Sequence, residues 1–236
     1  MDSNRIIQGL WIGEYLSKME CLCMISYLSK GHVFHLYSYN TFSNLPEGVV
    51  IMNANDIIPK DKLFRDSSGG WGAFSDWFRY ILLYKKGGWW VDMDSVCLKY
   101  FDFEEEYCFS SESINNIVNC GFIKAPKKAD FLKDCLHYID TIGLDNVTWG
   151  NFGPFLLAYV LKHYESSAFI KSRDCFCPVD WQDTSQLIQP PLISIGEESY
   201  AIHLWHEIWR REGLDKDATF HPDCLYEKLK KENGLT

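Results

Sequence analysis

Residues 75–94 constrain the fold of this chain more than any other segment, because they join a helix, a stop and a strand to two carboxylates. Within residues 73–86 the apolar side chains recur at steps of three and four, which predicts a helix with one buried face. Gly87 and Gly88 follow, and a glycine just past the last turn can take the left-handed conformation that ends a helix. The sequence therefore predicts a helix that ends at this glycine pair.

A short strand and a pair of aspartates follow the glycines. Residues 89–91 read Trp-Trp-Val, which are aromatic and β-branched types that favour strands. Asp92 and Asp94 then lie where the strand gives way to a loop, and ligands of open α/β sheets gather at such strand ends. This arrangement is typical of a segment that presents metal ligands.

A hard divalent cation is the natural partner of Asp92 and Asp94. Mg²⁺ or Mn²⁺ commonly binds one or two carboxylates and completes its coordination with phosphate oxygens. Two unit negative charges about 4 Å apart repel by roughly 4 kcal/mol at an effective dielectric constant near 20, so a diphosphate needs a cation between itself and the aspartates. The implied chemistry is cleavage of a bond to a diphosphate leaving group. A strand-end turn with exposed aspartates is the alternative.

The Asp-x-Asp pattern alone is weakly informative, since the chain contains it twice. Asp215 and Asp217 follow Gly213 in a charged, loop-like stretch, for which we predict solvated surface. Asp76 and Arg79 are more informative because they are neighbours on one face of the predicted helix. They form either a structural salt bridge or a pair that binds substrate hydroxyls and phosphate.

Composition and charge limit the class of protein. A chain of 236 residues with 47% hydrophobic content can bury a large core, and no Pro-, Gly- or Ser-rich stretch suggests a linker, so one domain is expected. The net charge of −9 argues against a nucleic-acid partner. The nine cysteines are predicted to be reduced, and the single-residue spacing of Cys21/Cys23 and Cys175/Cys177 does not suit zinc. With neither a signal peptide nor a long apolar run, a soluble, intracellular protein is expected.

The remaining pattern predicts strands and helices in an order typical of a nucleotide-binding α/β sheet covered by helices on both faces. Residues 49–52 are expected to be a buried strand, and residues 172–198 mostly loop. The other predicted strands are residues 6–12, 32–39, 107–109, 121–123 and 199–205. The other predicted helices are residues 15–28, 131–142, 154–163 and a charged segment after residue 209.

Four blocks of residues occur along the chain in a characteristic order. The first contains Ser75-Asp76, Arg79-Tyr80, Leu83-Tyr84, Gly87-Gly88 and Asp92-x-Asp94. The others are residues 118–122 (Val-Asn-Cys-Gly-Phe), 149–154 (Trp-Gly-Asn-Phe-Gly-Pro) and 201–205 (Ala-Ile-His-Leu-Trp). Four blocks in sequence are far more specific than any one of them, and together they resemble glycosyltransferase family 32, which includes α-1,4-galactosyltransferases. The resemblance extends from residue 6 to about residue 209.

The resemblance implies a GT-A fold, which is a Rossmann-like nucleotide-binding mixed sheet flanked by helices. It implies one domain over residues 1–236, with a nucleotide-sugar-binding half (1–100) and an acceptor-side half that ends in a helical segment (101–236). The implied cofactor is Mn²⁺ or Mg²⁺. The implied reaction moves a hexose, with retained anomeric configuration, from a nucleotide sugar to a glycan or glycolipid hydroxyl. UDP-hexose is the first candidate donor, and biosynthesis of a polysaccharide is an expected setting.

The resemblance also assigns roles to individual residues. Asp92, Asp94 and His203 would bind the metal, although on its own terms His203 reads as a hydrogen-bonded core histidine. Trp11 would stack on the nucleotide base, for which core packing is the alternative. Asp92 would also touch the ribose or sugar. Arg79 would act with the two aspartates in catalysis.

The sugar and acceptor sides complete the implied site. Asp76, Arg79 and Asn119 would bind the donor sugar. Trp149, Gly153 and Pro154 would shape the acceptor side. Departures from the family pattern, such as the bulky Trp89-Trp90 pair and His206-Glu207, leave the acceptor open. The membrane anchor of Golgi members is absent, so a cytoplasmic enzyme is expected, with peripheral membrane contact left open.

Other classes of protein use similar residues. A phosphatase with an aspartate nucleophile normally carries its Asp-x-Asp pair on the first strand, whereas here about ninety residues precede the pair. A glycosidase needs two carboxylates at a defined separation across a cleft. A non-catalytic carbohydrate-binding module would use the nine Trp and thirteen Tyr to stack on sugars, and it would bind glycan without nucleotide or metal.

Overall fold

The computed structural model describes residues 4–113, 115, 117–145 and 147–235. The described strands are β1 (Ile6–Trp11), β2 (Val33–Ser38), β3 (Val50–Asn53), β4 (Gly88–Val91), β5 (Ser95–Cys97), β6 (Cys108–Glu112), β7 (Ile117–Ala125) and β8 (Ala201–His203). The described α-helices are α1 (Lys18–Ser29), α2 (Gly72–Lys86), α3 (Asp130–Ile142), α4 (Pro154–Leu161), α5 (Arg173–Phe176), α6 (Ser185–Ile188), α7 (His206–Glu212) and α8 (Leu225–Glu232). Short 3₁₀ helices occupy Ala54–Asp56, Lys60–Lys62, Ser167–Phe169 and Trp181–Asp183. None of the described helices is long and apolar enough to cross a membrane.

A six-stranded mixed sheet forms the centre of the fold, with the strand order β3-β2-β1-β4-β7-β6. The first four of these strands run parallel, whereas β7 pairs antiparallel with both β4 and β6. The carboxyl ends of β1 and β4 therefore open on the same edge of the sheet. Asp92 follows β4 directly, so this edge is where the predicted site belongs.

Both faces of the central strand β4 are buried, and its side chains alternate between two hydrophobic clusters. Trp89 and Val91 pack into one cluster with residues of α1 and α8. Trp90 points to the other cluster, which contains residues of α2, α3 and α4. Because successive side chains of a strand point to opposite faces, an unbroken apolar run is what a strand between two helical layers requires.

The predicted helix, stop and strand of residues 73–91 are confirmed. α2 begins one residue earlier than predicted and ends at Lys86. The Gly87 N–H donates to the Leu83 carbonyl at 2.7 Å, and Gly87 and Gly88 adopt φ values of 67° and 86°. These values lie in the region that glycine takes at low cost, so the pair turns the chain sharply from the helix into β4.

A two-stranded antiparallel ribbon lies beside the main sheet. It pairs β5 with β8, and its register sets Ser95 opposite His203. The Leu204 N–H donates to the Asp94 carbonyl at 2.8 Å and extends this pairing past the end of β5. The ribbon thereby brings a residue from near the end of the chain against the aspartates that follow β4.

Three predictions about local structure were wrong. Residues 49–52 were expected to be a buried strand, but β3 lies at the sheet edge, where Val50 and Ile51 are 40% and 38% exposed. The first helix begins at Lys18 and not at residue 15, because Ser17 and Glu20 form a capping box.

The third difference concerns the second Asp-x-Asp triplet. Asp215 is exposed, as expected, but Lys216 and Asp217 are half-buried. The Asp217 carboxylate accepts a hydrogen bond from the Lys18 N–H at 2.7 Å. This part of the triplet is therefore packed against the start of α1, because its charged groups have partners there.

Candidate functional site

Asp92, Asp94 and His203 converge at the carboxyl edge of β4 and form the candidate metal triad. One ligand atom from each residue lies within 4.8 Å of the other two. The two aspartates come from the turn between β4 and β5, and His203 reaches them because β8 pairs with β5. Among the described residues this is the one group of three or more Asp, Glu, His or Cys side chains with metal-binding proximity.

Asp94 is held as a carboxylate by its neighbours. Its Oδ1 lies 3.3 Å from His203 Nε2, and its Oδ2 accepts a hydrogen bond from the His206 N–H at 2.7 Å. Burial would raise the pKa of Asp94, but the attraction and hydrogen bond of His203 outweigh it and hold that pKa well below its usual range. For the same reason the pKa of His203 is raised, although burial opposes the change.

Asp92 is more accessible, with 23% of its side chain exposed, and it is oriented by two groups. The Trp90 indole N–H donates to Asp92 Oδ1 at 2.9 Å, and Arg79 Nη2 lies 3.1 Å from the same oxygen. The other oxygen, Oδ2, lies on the side of Gly121. Sequence reasoning missed Trp90, although side chains two residues apart on a strand share a face, which is a usable signal.

Arg79 joins the helix α2 to the metal triad. Its Nη2 lies 2.9 Å from Asp76 Oδ1 and also contacts Asp92, and its Nη1 donates to the Cys120 carbonyl. The guanidinium lies 4.9 Å from the centre of the Trp90 ring, at cation–π distance. The predicted salt bridge with Asp76 is confirmed, and it extends to one of the two aspartates of the motif.

Asp76 is almost fully buried, and its pKa is raised to about 6. Burial is the largest cause, and it outweighs the stabilising charge of Arg79. A Cβ atom on Gly153 would lie 2.6 Å from Asp76 Oδ2, so the glycine before α4 gives this carboxylate its space. The predicted donor-sugar residue Asp76 and the predicted acceptor-side residue Gly153 are therefore direct neighbours, and Pro154 opens α4 beside them.

Asn119 lies on β7 and faces the metal triad. Its Oδ1 accepts the Gly121 N–H at 2.6 Å, and its Nδ2 donates to Glu112 Oε2 at 2.6 Å. A Cβ on Gly121 would lie 2.8 Å from this Oδ1, 3.2 Å from His203 Cε1 and 3.4 Å from Asp92 Oδ2. Three predicted site residues thus surround one glycine. Glu112, whose pKa burial raises, was missed because no local pattern marks it.

Trp11 and Trp149 are the two aromatic residues predicted to belong to the site. Trp11 ends β1, donates its indole N–H to the Tyr15 carbonyl at 2.8 Å, and has its ring 6.2 Å from that of His206. Trp149 is 39% exposed, and the Arg211 guanidinium lies 4.8 Å from its ring centre. The contacts described for Trp149 do not include the metal triad.

The donor set fits a hard or borderline divalent cation. Two carboxylates and one imidazole are ligands that Mn²⁺ accepts and that Mg²⁺ uses in part. Asp94 is already ionised, and His203 would bind through its neutral form. The backbone contacts of Asp94 with His206 and Leu204 hold the ligands in place without a metal.

Comparison with known proteins agrees with this site. Residues 49–116 match the family model described as "Glycosyltransferase sugar-binding region containing DXD motif". The match contains Asp76, Arg79, Asp92 and Asp94, whereas Trp11, Asn119, Trp149, Gly153 and His203 lie outside it.

Two curated relatives are named as galactosyltransferases. Lactosylceramide 4-alpha-galactosyltransferase of Mus musculus is 28% identical over 163 residues, covering 62% of this chain and 44% of the relative. The protein of the same name from Homo sapiens is 26% identical over 198 residues, covering 69% of this chain and 54% of the relative. The chain thus spans about half the length of these relatives.

Among solved structures, the protein titled "PaToxG Glycosyltransferase" aligns with a TM-score of 0.53 and 14% sequence identity. The alignment covers 98% of this chain and 84% of that chain. At this identity the likeness concerns the fold, and it confirms the predicted GT-A architecture. Residues 49–116 therefore resemble the sugar-binding region of the DXD-containing glycosyltransferases, and the chain has a GT-A fold, which confirms the predicted resemblance to glycosyltransferase family 32.

Proposed function

We propose that this protein is a metal-dependent retaining glycosyltransferase that moves a hexose from a UDP-sugar to a hydroxyl group of a glycan or glycolipid. The observation that carries the proposal is the convergence of Asp92, Asp94 and His203 within 4.8 Å, beside Arg79 and at the carboxyl edge of the parallel strands. The family match over residues 49–116 supports the same class of reaction.

The metal triad would hold Mn²⁺ or Mg²⁺, and the bound ion would neutralise charge on the diphosphate of the donor. Arg79 contributes by fixing Asp92, to which it is bonded at 3.1 Å, and by placing a buried positive charge beside it. Trp90 donates a hydrogen bond to the same carboxylate oxygen. The aspartates of the motif are therefore oriented before any substrate arrives, which reduces reorganisation during the reaction.

The donor sugar would lie over Asp76, Arg79 and Asn119. Asp76 and Asn119 offer oxygen acceptors, and both are fixed by hydrogen bonds or ion pairs to neighbours. Trp11, at the end of β1, would stack on the uracil ring. A UDP-hexose would then run from Trp11 across the metal triad to the sugar-binding side chains.

Retention is proposed through a substitution on one face of the sugar. The bond between the anomeric carbon and the diphosphate oxygen breaks, and the bond from the same carbon to the acceptor oxygen forms. The proton of the acceptor hydroxyl passes to the departing phosphate, so atoms and charges balance without a protein nucleophile. Exclusion of water from the donor would favour transfer over hydrolysis.

The acceptor is proposed from the exposed side of the site. The half-exposed ring of Trp149 offers an aromatic face on which a sugar can stack, and Gly153 and Pro154 lie beside the donor-sugar pocket. The names of the curated relatives contain lactosylceramide, which supports a glycolipid or a related glycan as the acceptor class.

A panel of nucleotide sugars tests the proposal. The protein is incubated with Mn²⁺ and each nucleotide sugar, and thermal stabilisation and slow donor hydrolysis are recorded. We expect stabilisation and hydrolysis with at least one UDP-hexose, both lost when EDTA removes the metal. Binding of glycan without nucleotide or metal, together with no response to any nucleotide sugar, would instead identify a carbohydrate-binding module.

A further inference from the structure

The segment that follows α7 places a lysine beside the base-binding end of the site. Lys216 Nζ lies 4.6 Å from the centre of the Trp11 ring, and only 17% of the lysine side chain is exposed. No local pattern connects Lys216 with Trp11, because 204 residues lie between them and the lysine belongs to the second Asp-x-Asp triplet.

Lys216 is held in position by its surroundings. The hydroxyl of Tyr226 donates to the Lys216 carbonyl at 2.9 Å, and the adjacent Asp217 accepts the Lys18 N–H at 2.7 Å. The ammonium group of Lys216 pairs with Glu20 Oε1 at 2.5 Å. The backbone is thus anchored to α1 and α8, while the long side chain retains rotatable bonds that can redirect its charge.

Glu20 has a second partner that does not depend on the lysine. Its Oε2 accepts the Ser17 N–H at 2.7 Å and completes the capping box of α1. The Glu20 side chain is only 1% exposed, so in the absence of substrate Lys216 compensates a buried charge. A polyanionic ligand next to Trp11 would compete with Glu20 for the lysine ammonium.

The neighbours of Trp11 connect this lysine to the metal triad. The ring of His206 lies 6.2 Å from the Trp11 ring, and the His206 N–H donates to Asp94 Oδ2 at 2.7 Å. His206 therefore links the Trp11 ring to the metal ligand Asp94, and Lys216 contacts the same ring. A nucleotide that stacks on Trp11 and reaches Asp94 with its phosphates would lie close to both residues.

A second positively charged side chain near the donor diphosphate would reduce electrostatic repulsion. The chain carries a net charge of −9, and the donor adds a diphosphate. The guanidinium of Arg79 is engaged by Asp76, Asp92 and the Cys120 carbonyl, which limits what it can offer to phosphate. A lysine ammonium is a compact point charge with three donors, which suits a phosphate group.

We propose that Lys216 is a binding residue for the diphosphate of the nucleotide donor and that it exchanges Glu20 for a phosphate oxygen when the donor binds. This inference rests on the proposed function, because it takes the nucleotide from Trp11 to the metal triad. It assigns part of the donor site to the segment after α7, which lies outside the family match.

Binding of UDP and of uridine to the Lys216→Met variant tests the inference. Both ligands are titrated calorimetrically in the presence of Mn²⁺ against the unmodified protein and against Lys133→Met, an exposed lysine of α3 in the opposite helical layer. We expect Lys216→Met to weaken UDP binding by about 10-fold, the effect of losing one partly desolvated charge contact. Uridine binding and Lys133→Met should remain unchanged.

A second variant, Glu20→Gln, should keep the fold and remove the negative charge that competes with phosphate for Lys216. Glutamine can replace glutamate in the capping box, so α1 retains its first turn. Because the lysine loses its charged competitor, we expect UDP to bind several-fold more tightly to Glu20→Gln, while uridine is unaffected. Lys216→Arg should keep most of the UDP affinity, since the positive charge is retained.

The outcomes separate this inference from the proposed function. If the unmodified protein does not bind UDP with Mn²⁺, the proposed function is wrong. If UDP binds but Lys216→Met weakens UDP and uridine equally, or neither, Lys216 only supports Trp11 or the fold and the inference is overturned. If Glu20→Gln weakens UDP binding, the proposed competition is also contradicted.

Discussion

At the scale of single residues, Gly121 shows how closely the site is packed. Asn119, His203 and Asp92 all lie within contact distance of the position that a side chain on Gly121 would take. Asn119, His203 and Asp92 come from separate parts of the sequence, and they meet around Gly121. Its hydrogen atom leaves room for three polar groups that approach from different strands.

Replacement of Gly121 by alanine should therefore disturb the site more than the fold. The new Cβ would lie 2.8 Å from Asn119 Oδ1, so that amide must move and its 2.6 Å bond to Glu112 is strained or lost. We expect donor hydrolysis to fall by about 10-fold or more, at an overpacking cost of about 1–3 kcal/mol in unfolding free energy. Hydrolysis assays and urea unfolding measure the two effects.

Gly70→Ala is the matched control, because a Cβ there would meet neighbours only at 3.4 Å or more. It should retain its donor hydrolysis. Unchanged hydrolysis in Gly121→Ala would show that donor hydrolysis does not depend on the observed positions of Asn119 and His203.

Asp76 gives a prediction about pH. Its pKa is about 6 in the folded protein and near 3.8 when unfolded, so the folded state binds the proton more tightly. The stability that this proton binding contributes is present below pH 4 and is lost as pH rises through 6. The difference between the two pKa values corresponds to at most about 3 kcal/mol.

The variant Asp76→Asn lacks this titration. Relative to the unmodified protein, its unfolding free energy should increase between pH 4 and pH 7, by up to about 3 kcal/mol. Urea unfolding of both proteins at several pH values measures the difference. A difference that is constant with pH, or that grows toward acid, would mean that Asp76 is already ionised at low pH.

At the scale of elements, the pairing of β5 with β8 brings the candidate metal ligands together. The register that sets Ser95 opposite His203 brings the histidine to Asp94. Local periodicity predicts that a strand exists near residue 201, but it does not say which strand is its partner. His203 was therefore found through the family resemblance, and the structure supplies the physical reason for its position.

The turn between α2 and β4 is the other element on which the site depends. Gly87 has φ 67° and ψ −168°, and a Cβ there would lie 2.7 Å from the Lys127 N. Gly143, which follows α3, has similar angles of 81° and 177°, but a Cβ there would meet nothing within 4 Å. A comparison of alanine substitutions at Gly87 and Gly143 therefore distinguishes the cost of backbone strain from the cost of a steric clash.

We expect Gly87→Ala to lower the unfolding free energy by more than Gly143→Ala does. Strain in this backbone region costs about 1–3 kcal/mol at either position, and the clash adds to it only at Gly87. Chemical denaturation of both variants measures the difference. Equal destabilisation would mean that the segment around Lys127 moves freely away from the new methyl group.

At the scale of the whole molecule, the sequence predicted the sheet-and-helix architecture because buried strands and amphipathic helices leave clear periodicities. It did not predict that β3 lies at the edge, since an apolar run such as residues 49–52 has the same pattern in an edge strand and in a central strand. The sequence also did not predict contacts between distant segments, such as the ion pair of Lys216 with Glu20. Such contacts depend on how the finished layers pack, and no local pattern records that.

The metal triad was predicted in part from the residues and in part from the resemblance. Asp92 and Asp94 were marked by their place after a buried strand. The supporting contacts of Trp90 and Glu112 were not, because each depends on a partner whose position is known only in the folded chain. All nine cysteines are free and buried in the structure.

The affinity of UDP with and without Mn²⁺, measured for the unmodified protein and for Asp94→Asn, tests the central claim most directly. We expect Mn²⁺ to strengthen UDP binding by more than about 10-fold in the unmodified protein, because Asp92 and Asp94 would hold the ion and the ion would offset the negative charge of the phosphates. In Asp94→Asn the metal dependence should disappear, whereas Asp140→Asn, an exposed change on α3, should retain it. Equal UDP affinity with and without Mn²⁺ in the unmodified protein, or full metal dependence in Asp94→Asn, would contradict the account.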